Sequence, residues 1–466
     1  MLFIIRSLSF GKILHYFRRK KVKMINISTL DNYERFRKTG LPLMHQYLSE
    51  LLNAEVNIEE QPIEQFEKYI GLNLIENIKK YAYIKSDEEV VLSIKIIEDD
   101  GIKAMLPIYI VGPQIGKISI SYLEQIGSAI SIVITQCYCQ NFNGAERMFN
   151  EYLQDKVIYS CFAKRVFEVD RISFLISYLK KLCLQTFEGK EFSTGFILTR
   201  SAHDYEKERE HVRGGEIYAL VNKHNIFKNM KPDRRIWYLV DGNTSFYLMD
   251  NHFILNDIYT IQECSEMHQF WDEYLLSKIL WGGDLLFRVI NSNQISIVNS
   301  DGIEFIATEN SWKLRDYKII NELIKSYTSM DKKLVTCLLY YIMHCSRCGE
   351  STIIWLPQDT ADETLSQLLA KRMRLVENDI NIQDQRNVEL VKRILSSDGV
   401  TIIDISGNII SNGCVVNLSE ANSGKKLIGT GEAASKLLSS NGISIKVSQD
   451  GSVKIYYDIE KQPFVF

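Results

Sequence analysis

Residues 395–417 read LSSDGVTIIDISGNIISNGCVVN, residues 427–442 LIGTGEAASKLLSSNG, and residues 443–457 ISIKVSQDGSVKIYY. No other part of the chain combines regular strand–turn–strand punctuation with a glycine-rich turn that opens a helix. Val400 to Asp404 is a short apolar strand, Ser406-Gly407-Asn408 a turn and Ile409 to Asn417 a second strand, which together make a hairpin. Gly429-Thr430-Gly431 stands before Glu432 to Ser440, a run of good helix formers that stops at Asn441-Gly442, where a C-terminal cap belongs. A turn of such small residues lets backbone N–H groups and the positive end of the helix dipole approach an anion, and Thr430 adds a hydroxyl donor. The same residues also suit an ordinary strand-to-helix connection. Ser448-Gln449-Asp450-Gly451 separates strands Ile443 to Val447 and Val453 to Tyr457, and Asp-Gly is a hairpin signal.

Upstream, Leu334 to His344 reads as a helix running into Cys348-Gly349-Glu350 and the strand Thr352 to Leu356, and Asn387 to Leu395 as a further helix delivering Asp398-Gly399-Val400. In order and spacing these pieces resemble the diadenylate cyclase (DisA N-terminal, or DAC) domain, over roughly residues 331 to 460. Asp398-Gly399-Val400 stands where the family has Asp-Gly-Ala. Gly429-Thr430 matches the start of its Gly-Thr-Arg-His-Arg motif, and Val447-Ser448-Gln449-Asp450 stands where it has Val-Ser-Glu-Glu. The resemblance implies an α/β domain with a central mixed sheet flanked by helices. It also implies condensation of two ATP molecules into cyclic di-AMP, with a divalent metal (Mg or Mn), by protomers meeting face to face as a homo-oligomer. Carried over residue by residue, Asp398 is the metal-associated or hydroxyl-activating carboxylate and Gly399 and Val400 lie beside the nucleotide. Gly429, Thr430, Gly431 and Glu432 form the phosphate turn, and Ser448 and Asp450 sit at the pocket rim.

The chain departs from the family at Gly431-Glu432-Ala433, where Arg-His-Arg belongs. Those basic residues hold triphosphate, so their loss removes positive charge where negative charge is stabilised. Glu432 in the first helical turn satisfies the dipole itself and repels a phosphate unless a divalent metal lies between them. Lys425 and Lys426 could restore charge from the loop, or are solvated surface lysines. The rival to an active cyclase is a domain that keeps the fold as a catalytically inactive nucleotide sensor or interaction module.

At 466 residues the chain exceeds one hydrophobic core, so two or three domains are expected. We divide it into a basic amphipathic segment (1–23), a mixed α/β sensor-type region (24–165), a second mixed α/β region (166–330) and the DAC-like domain (331–466). Its composition is that of a globular protein, and a net charge of −3 argues against nucleic acid as the main partner. Nine irregularly spaced cysteines and no secretory cleavage site fit reduced thiols in a cytoplasmic protein. Arg6 and Lys12 interrupt the apolar run of residues 1–23, which is too broken to span a bilayer. That segment fits contact with an anionic membrane surface, an extension before a start at Met24, or a packing helix.

In the middle of the chain, Tyr33 to Leu52 and Ile63 to Tyr81 have helical periodicity, and Val90 to Ile97 and Met105 to Val111 are strands joined by a turn at Asp99-Asp100-Gly101. A helix runs from Arg171 to about Gln185, before strands Thr194 to Thr199, Ile236 to Val240, Thr244 to Met249 and Phe253 to Leu255. The interval from Gly195 to Asp241 is 46 residues and that from Ser351 to Asp398 is 47, so the second region fits a degenerate internal copy of the C-terminal domain or a chance recurrence of common elements. His203 to His211 and Arg213-Gly214-Gly215 form a polar segment read as a solvated loop or helix face, and Cys345-Ser-Arg-Cys348 as a structural helix end. No nucleophile elbow, Walker A loop or HExxH occurs.

Overall fold

The computed structural model describes residues 36–58, 68, 80–98, 101–135, 153–159, 161–162, 169–191, 193–199, 215–228, 233–261, 273–308, 311–373, 380–418 and 429–466. The segments 1–23, 99–100, 201–214 and 425–426, for which the sequence suggests roles, lie outside these residues, as does most of the helix expected over 63–81. The protein is α/β, and it divides into two compact units, Met1–Lys164 and Arg165–Phe466.

In the first unit, α1 (Leu41–Leu52) precedes β1 (Glu55–Ile58), and β2 (Ala82–Ser86), β3 (Glu89–Glu98) and β4 (Gly101–Val111) follow. They form an antiparallel sheet ordered β1-β4-β3-β2, with Glu98 opposite Gly101 as the expected hairpin requires. Within the apolar stretch Ile118 to Ile134 lies a helix, α2 (Ile120–Ile134), whose Ile126, Ile130 and Ile134 are buried at spacings of four.

The second unit holds two eight-stranded sheets. The first is built from α3 (Val169–Cys183), β5 (Thr194–Leu198), β6 (Gly215–Asn225), α4 (Arg234–Trp237), β7 (Ser245–Met249), β8 (Ile254–Ile261), α5 (Glu273–Ile279), β9 (Leu285–Asn291), β10 (Gln294–Asn299), β11 (Ile303–Thr308) and β12 (Ser311–Asp316). Its strands run β12-β11-β10-β9-β5-β7-β8-β6, with β5 parallel to β7 and the other pairs antiparallel.

Through α6 (Tyr317–Thr328) and α7 (Lys332–Cys348) the chain enters the second sheet: β13 (Thr352–Pro357), α8 (Asp362–Leu368), β14 (Leu369–Lys371), β15 (Ile380–Asn381), α9 (Val388–Leu395), β16 (Val400–Ile403), β17 (Asn408–Val416), α10 (Thr430–Leu438), β18 (Gly442–Val447), β19 (Val453–Tyr456) and β20 (Phe464–Val465). Its order is β14-β17-β16-β13-β18-β19-β20, with the eighth strand, β15, also paired to β17, and only β13 and β16 pair in parallel.

The two sheets share one topology. In each, a helix leads into a central strand (β5, β13) that pairs in parallel with a later strand (β7, β16) and antiparallel with a still later one (β9, β18). A strand from the intervening segment (β6, β14) closes one edge, and a meander (β9-β10-β11, β18-β19-β20) extends the other. A helix (α5, α10) crosses before β9 and β18 in turn. The spacing match of 46 and 47 residues therefore has a structural counterpart in an internal repeat of the fold.

One expected element is different. The apolar run Ile236 to Val240 is not a strand; Arg234–Trp237 is a short helix whose N-cap Asp233 accepts a bond from the Arg235 N–H. Capping of that turn, and burial of Trp237 with its indole N–H donated to Tyr178 Oη at 3.0 Å, outweigh the β propensity of the run.

Local signals explain the C-terminal half. Asp331 caps α7 by accepting from the Leu334 N–H at 2.8 Å, and Gly349 ends it in the left-handed conformation. Val388, Val391, Ile394 and Leu395 put one stripe of α9 into the core. α6, α7 and α9 cover one face of the sheet through a cluster with Ile354, Ile443 and Ile445, and α8 and α10 cover the other with Trp355, Val400 and Ile402. The sheet is thus the middle of three layers, and its strand ends are left for chemistry.

Candidate functional site

Register gathers the candidate residues at one end of the C-terminal sheet. Ile353 on β13 pairs with Val400 on β16 and with Lys446 on β18, so Val400 and Lys446 flank the central strand in one row. Asp398 and Gly399 lead directly into that row. Thr352 pairs with Val447, so the Ser448–Gly451 turn leaves the sheet at the same end. α10 begins there too: a Cβ added to Gly431 would lie 3.2 Å from Lys446 Cε, 3.7 Å from its Nζ and 3.9 Å from Ile353 Cδ1.

The helix starts two residues earlier than the run of formers suggests, with Thr430 and Gly431 already inside it and Gly429 as N-cap. Among the described residues no side chain caps this end, and Gly429 and Thr430 are exposed. Among the described residues a Cβ at Gly429 would meet nothing within 4 Å, so none of them blocks the backbone here. Gly399 has a different reason to be glycine: its φ is +97° and an added Cβ would come within 2.8 Å of the Gly413 carbonyl carbon on β17. Asp398 is exposed, and its Oδ1 accepts from the Gly399 N–H at 2.9 Å.

The equivalent Asp-Gly of the first sheet is used otherwise. Asp241 accepts from the backbone N–H groups of Asn243, Thr244 and Ser245 and from the hydroxyls of Thr244 and Ser245. Burial works to raise its pKa, but these hydrogen bonds outweigh it and hold the carboxyl below its ordinary range. Asp241 is a turn residue.

Glu432, half-buried, accepts a hydrogen bond from Lys454 Nζ. That bond, followed by the charges of Lys454 and Lys446, holds the Glu432 carboxyl below its ordinary range against the opposing effect of burial. Lys446 and Lys454 are directly opposite one another on β18 and β19, so both ammonium groups serve the α10 end. Glu432 pairs with Lys454, and among the described residues no ion pair within 4.0 Å involves Lys446. These lysines are what sequence reasoning missed. The signal was present: they stand symmetrically about the Asp450-Gly451 hairpin, which makes them cross-strand partners.

Ser448 and Asp450 belong to the hairpin itself. The Ser448 N–H donates to Ser452 O at 2.9 Å, and Asp450 accepts from the Ser452 N–H at 3.0 Å and hydroxyl at 2.7 Å. The Ser452 hydroxyl is the main cause of the lowered Asp450 pKa. Cys345 and Cys348 do not act as a pair: Cys345 is buried, which pushes its thiol up to about 12, and Cys348 is exposed.

No protein-family model matches the chain, and no curated protein matches it. Among solved structures, a hypothetical membrane-spanning protein from Bacillus cereus is similar over 32% of this chain and 69% of its own, with 15% identity and a TM-score of 0.26. A double mutant of DacA from Staphylococcus aureus is similar over 28% of this chain and 86% of its own, with 16% identity and a TM-score of 0.21. Likenesses this slight leave function to be read from the chain's own residues. No helix among the described residues is long and apolar enough to cross a membrane.

Proposed function

We propose that the C-terminal half binds ATP at this strand end and joins two ATP molecules into cyclic di-AMP or a related cyclic dinucleotide. The observation that carries the reading is the placement of Lys446 and Lys454 at the open start of α10, where they supply the cationic charge that the Gly-Thr-Gly turn lacks. A triphosphate laid along Gly429–Gly431 meets backbone N–H groups, the helix dipole, the Thr430 hydroxyl and the Lys446 ammonium. Val400 and Gly399 form the adjoining floor, and the Ser448–Asp450 hairpin borders the same end.

Asp398 leads into the same row of the sheet, and its exposed carboxylate would suit a Mg or Mn ion held by one protein carboxylate and substrate phosphates. Such an ion supplies charge neutralisation at the α-phosphate and a lowered pKa for a bound hydroxyl. In the reaction each ATP 3′-oxygen attacks the α-phosphate of the other ATP. The phosphorus–oxygen bond to pyrophosphate breaks, pyrophosphate leaves, and the hydroxyl proton passes to a base at the Asp398 carboxylate or to solvent. Positioning and charge carry such a step. Because Asp241 is engaged by its own turn, the described residues of one chain offer this site in the second sheet alone, and turnover in this reading requires a second protomer facing the first. Residues 24–165 and the degenerate first copy at 166–330 serve in this reading as the regulatory part.

The second reading, a nucleotide sensor without turnover, is favoured by Glu432 in the first turn of α10. Calorimetric titration with ATP and Mg²⁺ separates both from a non-nucleotide role. Binding of ATP that is lost in a Lys446→Ala, Lys454→Ala double variant supports the site, and no heat of binding from folded protein refutes both.

A further inference from the structure

At the C-terminal end of α7 three potential ligands of different chemistry converge. His344 and Cys348, four residues apart, share one face of the last turn. Gly349, at φ +66°, reverses the chain, and the Glu350 N–H donates back to Cys345 O at 3.0 Å. That reversal returns the Glu350 carboxylate to the same face, so the imidazole, thiol and carboxylate donor atoms lie within 4.8 Å of one another.

We propose that His344, Cys348 and Glu350 bind one thiophilic divalent cation, zinc by preference. A sulfur, nitrogen and oxygen donor set selects zinc over Mg or Ca, which take oxygen ligands alone. Tetrahedral zinc, with bonds of about 2.3 Å to sulfur and about 2.0 Å to nitrogen, sets its S···N edge near ~3.6 Å. Cys348 Sγ stands 3.8 Å from His344 Nε2 and 3.9 Å from Nδ1, close to the S···N edge of such a site, and binding requires the imidazole to rotate so that one nitrogen faces the shared ion. Three protein ligands leave a fourth position for water.

Glu350 also accepts a hydrogen bond from the Ser396 hydroxyl, the kind of outer contact that orients a ligating carboxylate. Ser396 lies two residues before Asp398, so the bound ion would brace the back of the Asp398 turn.

The test is cobalt(II) titration of the full chain after chelator treatment, followed by absorption, with zinc as competitor. The proposal expects one equivalent, a thiolate-to-cobalt charge-transfer band with tetrahedral ligand-field bands, and displacement by zinc. Cys348→Ser abolishes the charge-transfer band, His344→Ala weakens binding, and Ser396→Ala weakens it about 10-fold. Absence of the charge-transfer band overturns the proposal, as does a band unchanged in Cys348→Ser, which would put cobalt on another cysteine. Circular dichroism controls for folding, which an exposed Cys348→Ser preserves. No nucleotide enters the measurement, so its outcome is separate from that of the ATP reading.

Discussion

Replacing Gly399 with alanine drives a methyl group into the backbone of the adjacent strand. The built Cβ lies 2.8 Å from the Gly413 carbonyl carbon and 2.9 Å from both Gly413 Cα and Cys414 O. All three are main-chain atoms of β17, so relief requires β16 and β17 to part. A positive φ in a residue with a Cβ costs roughly 1–2 kcal/mol, and forced overpacking about 1–3 kcal/mol. Together they predict a loss of about 2–5 kcal/mol, concentrated where Val400 pairs with Cys414. Gly429→Ala is the contrast: its φ is −56° and among the described residues its Cβ would meet nothing within 4 Å, so its cost is that of a poorer N-cap, about 1 kcal/mol or less, and falls on α10 rather than on β16 and β17. The assay is hydrogen exchange at the β16 and β17 amides, which reads local stability without assuming that this multi-unit chain unfolds in one step. Protection falls roughly 30-fold or more in Gly399→Ala and is unchanged in Gly429→Ala. Unchanged protection in Gly399→Ala, or equal losses in the two variants, would refute the view that one glycine is structural and the other open to ligand.

Two further predictions concern charge. Lys446→Ala removes a charge-assisted contact to phosphate and weakens ATP binding by about 10- to 100-fold in calorimetry; Lys454→Ala, which also releases the Glu432 carboxylate, weakens it more than a Lys454→Ala, Glu432→Gln pair does. Equal affinities across these variants count against the site. Asp316 caps α6 by accepting from the Lys318 and Ile319 N–H groups, yet burial raises its pKa to about 6. Because the folded pKa exceeds the unfolded one, its contribution is fully present below 3.8 and is lost as pH rises through about 6. Asp316→Asn keeps a cap and abolishes that pH dependence of hydrogen-exchange protection at the α6 amides, raising protection at pH 7; a pH dependence that survives in the variant contradicts the assignment.

The C-terminal half was legible because its punctuation is local. Asp450-Gly451, Asn441-Gly442 and Gly349 each fix a turn or a cap through backbone geometry that few other residues supply, and the strands between them follow. The first sheet was only partly legible. β9 to β12 pass through Asn and Asp-Gly turns that carry the same signals, yet the pairing of β9 with β5 depends on contacts nearly a hundred residues apart, which no short pattern records. Ile236 to Val240 misled because a cap and a buried tryptophan, rather than residue propensity, decide that turn. At the site, Asp398 and Gly429–Glu432 were readable as types and spacing. Lys446 and Lys454 were hidden because on sequence they look like the solvent face of an ordinary hairpin. Only the packing of α10 over that face turns them into the counter-charge of Glu432.

The most direct test of the central claim is mass spectrometry of products after purified protein is incubated with ATP and Mn²⁺ or Mg²⁺, beside Asp398→Ala. The account predicts cyclic di-AMP or a related cyclic dinucleotide, with pyrophosphate, from the unmutated chain alone. Absence of any such product across nucleotides and metals, from protein that still binds ATP, would contradict it.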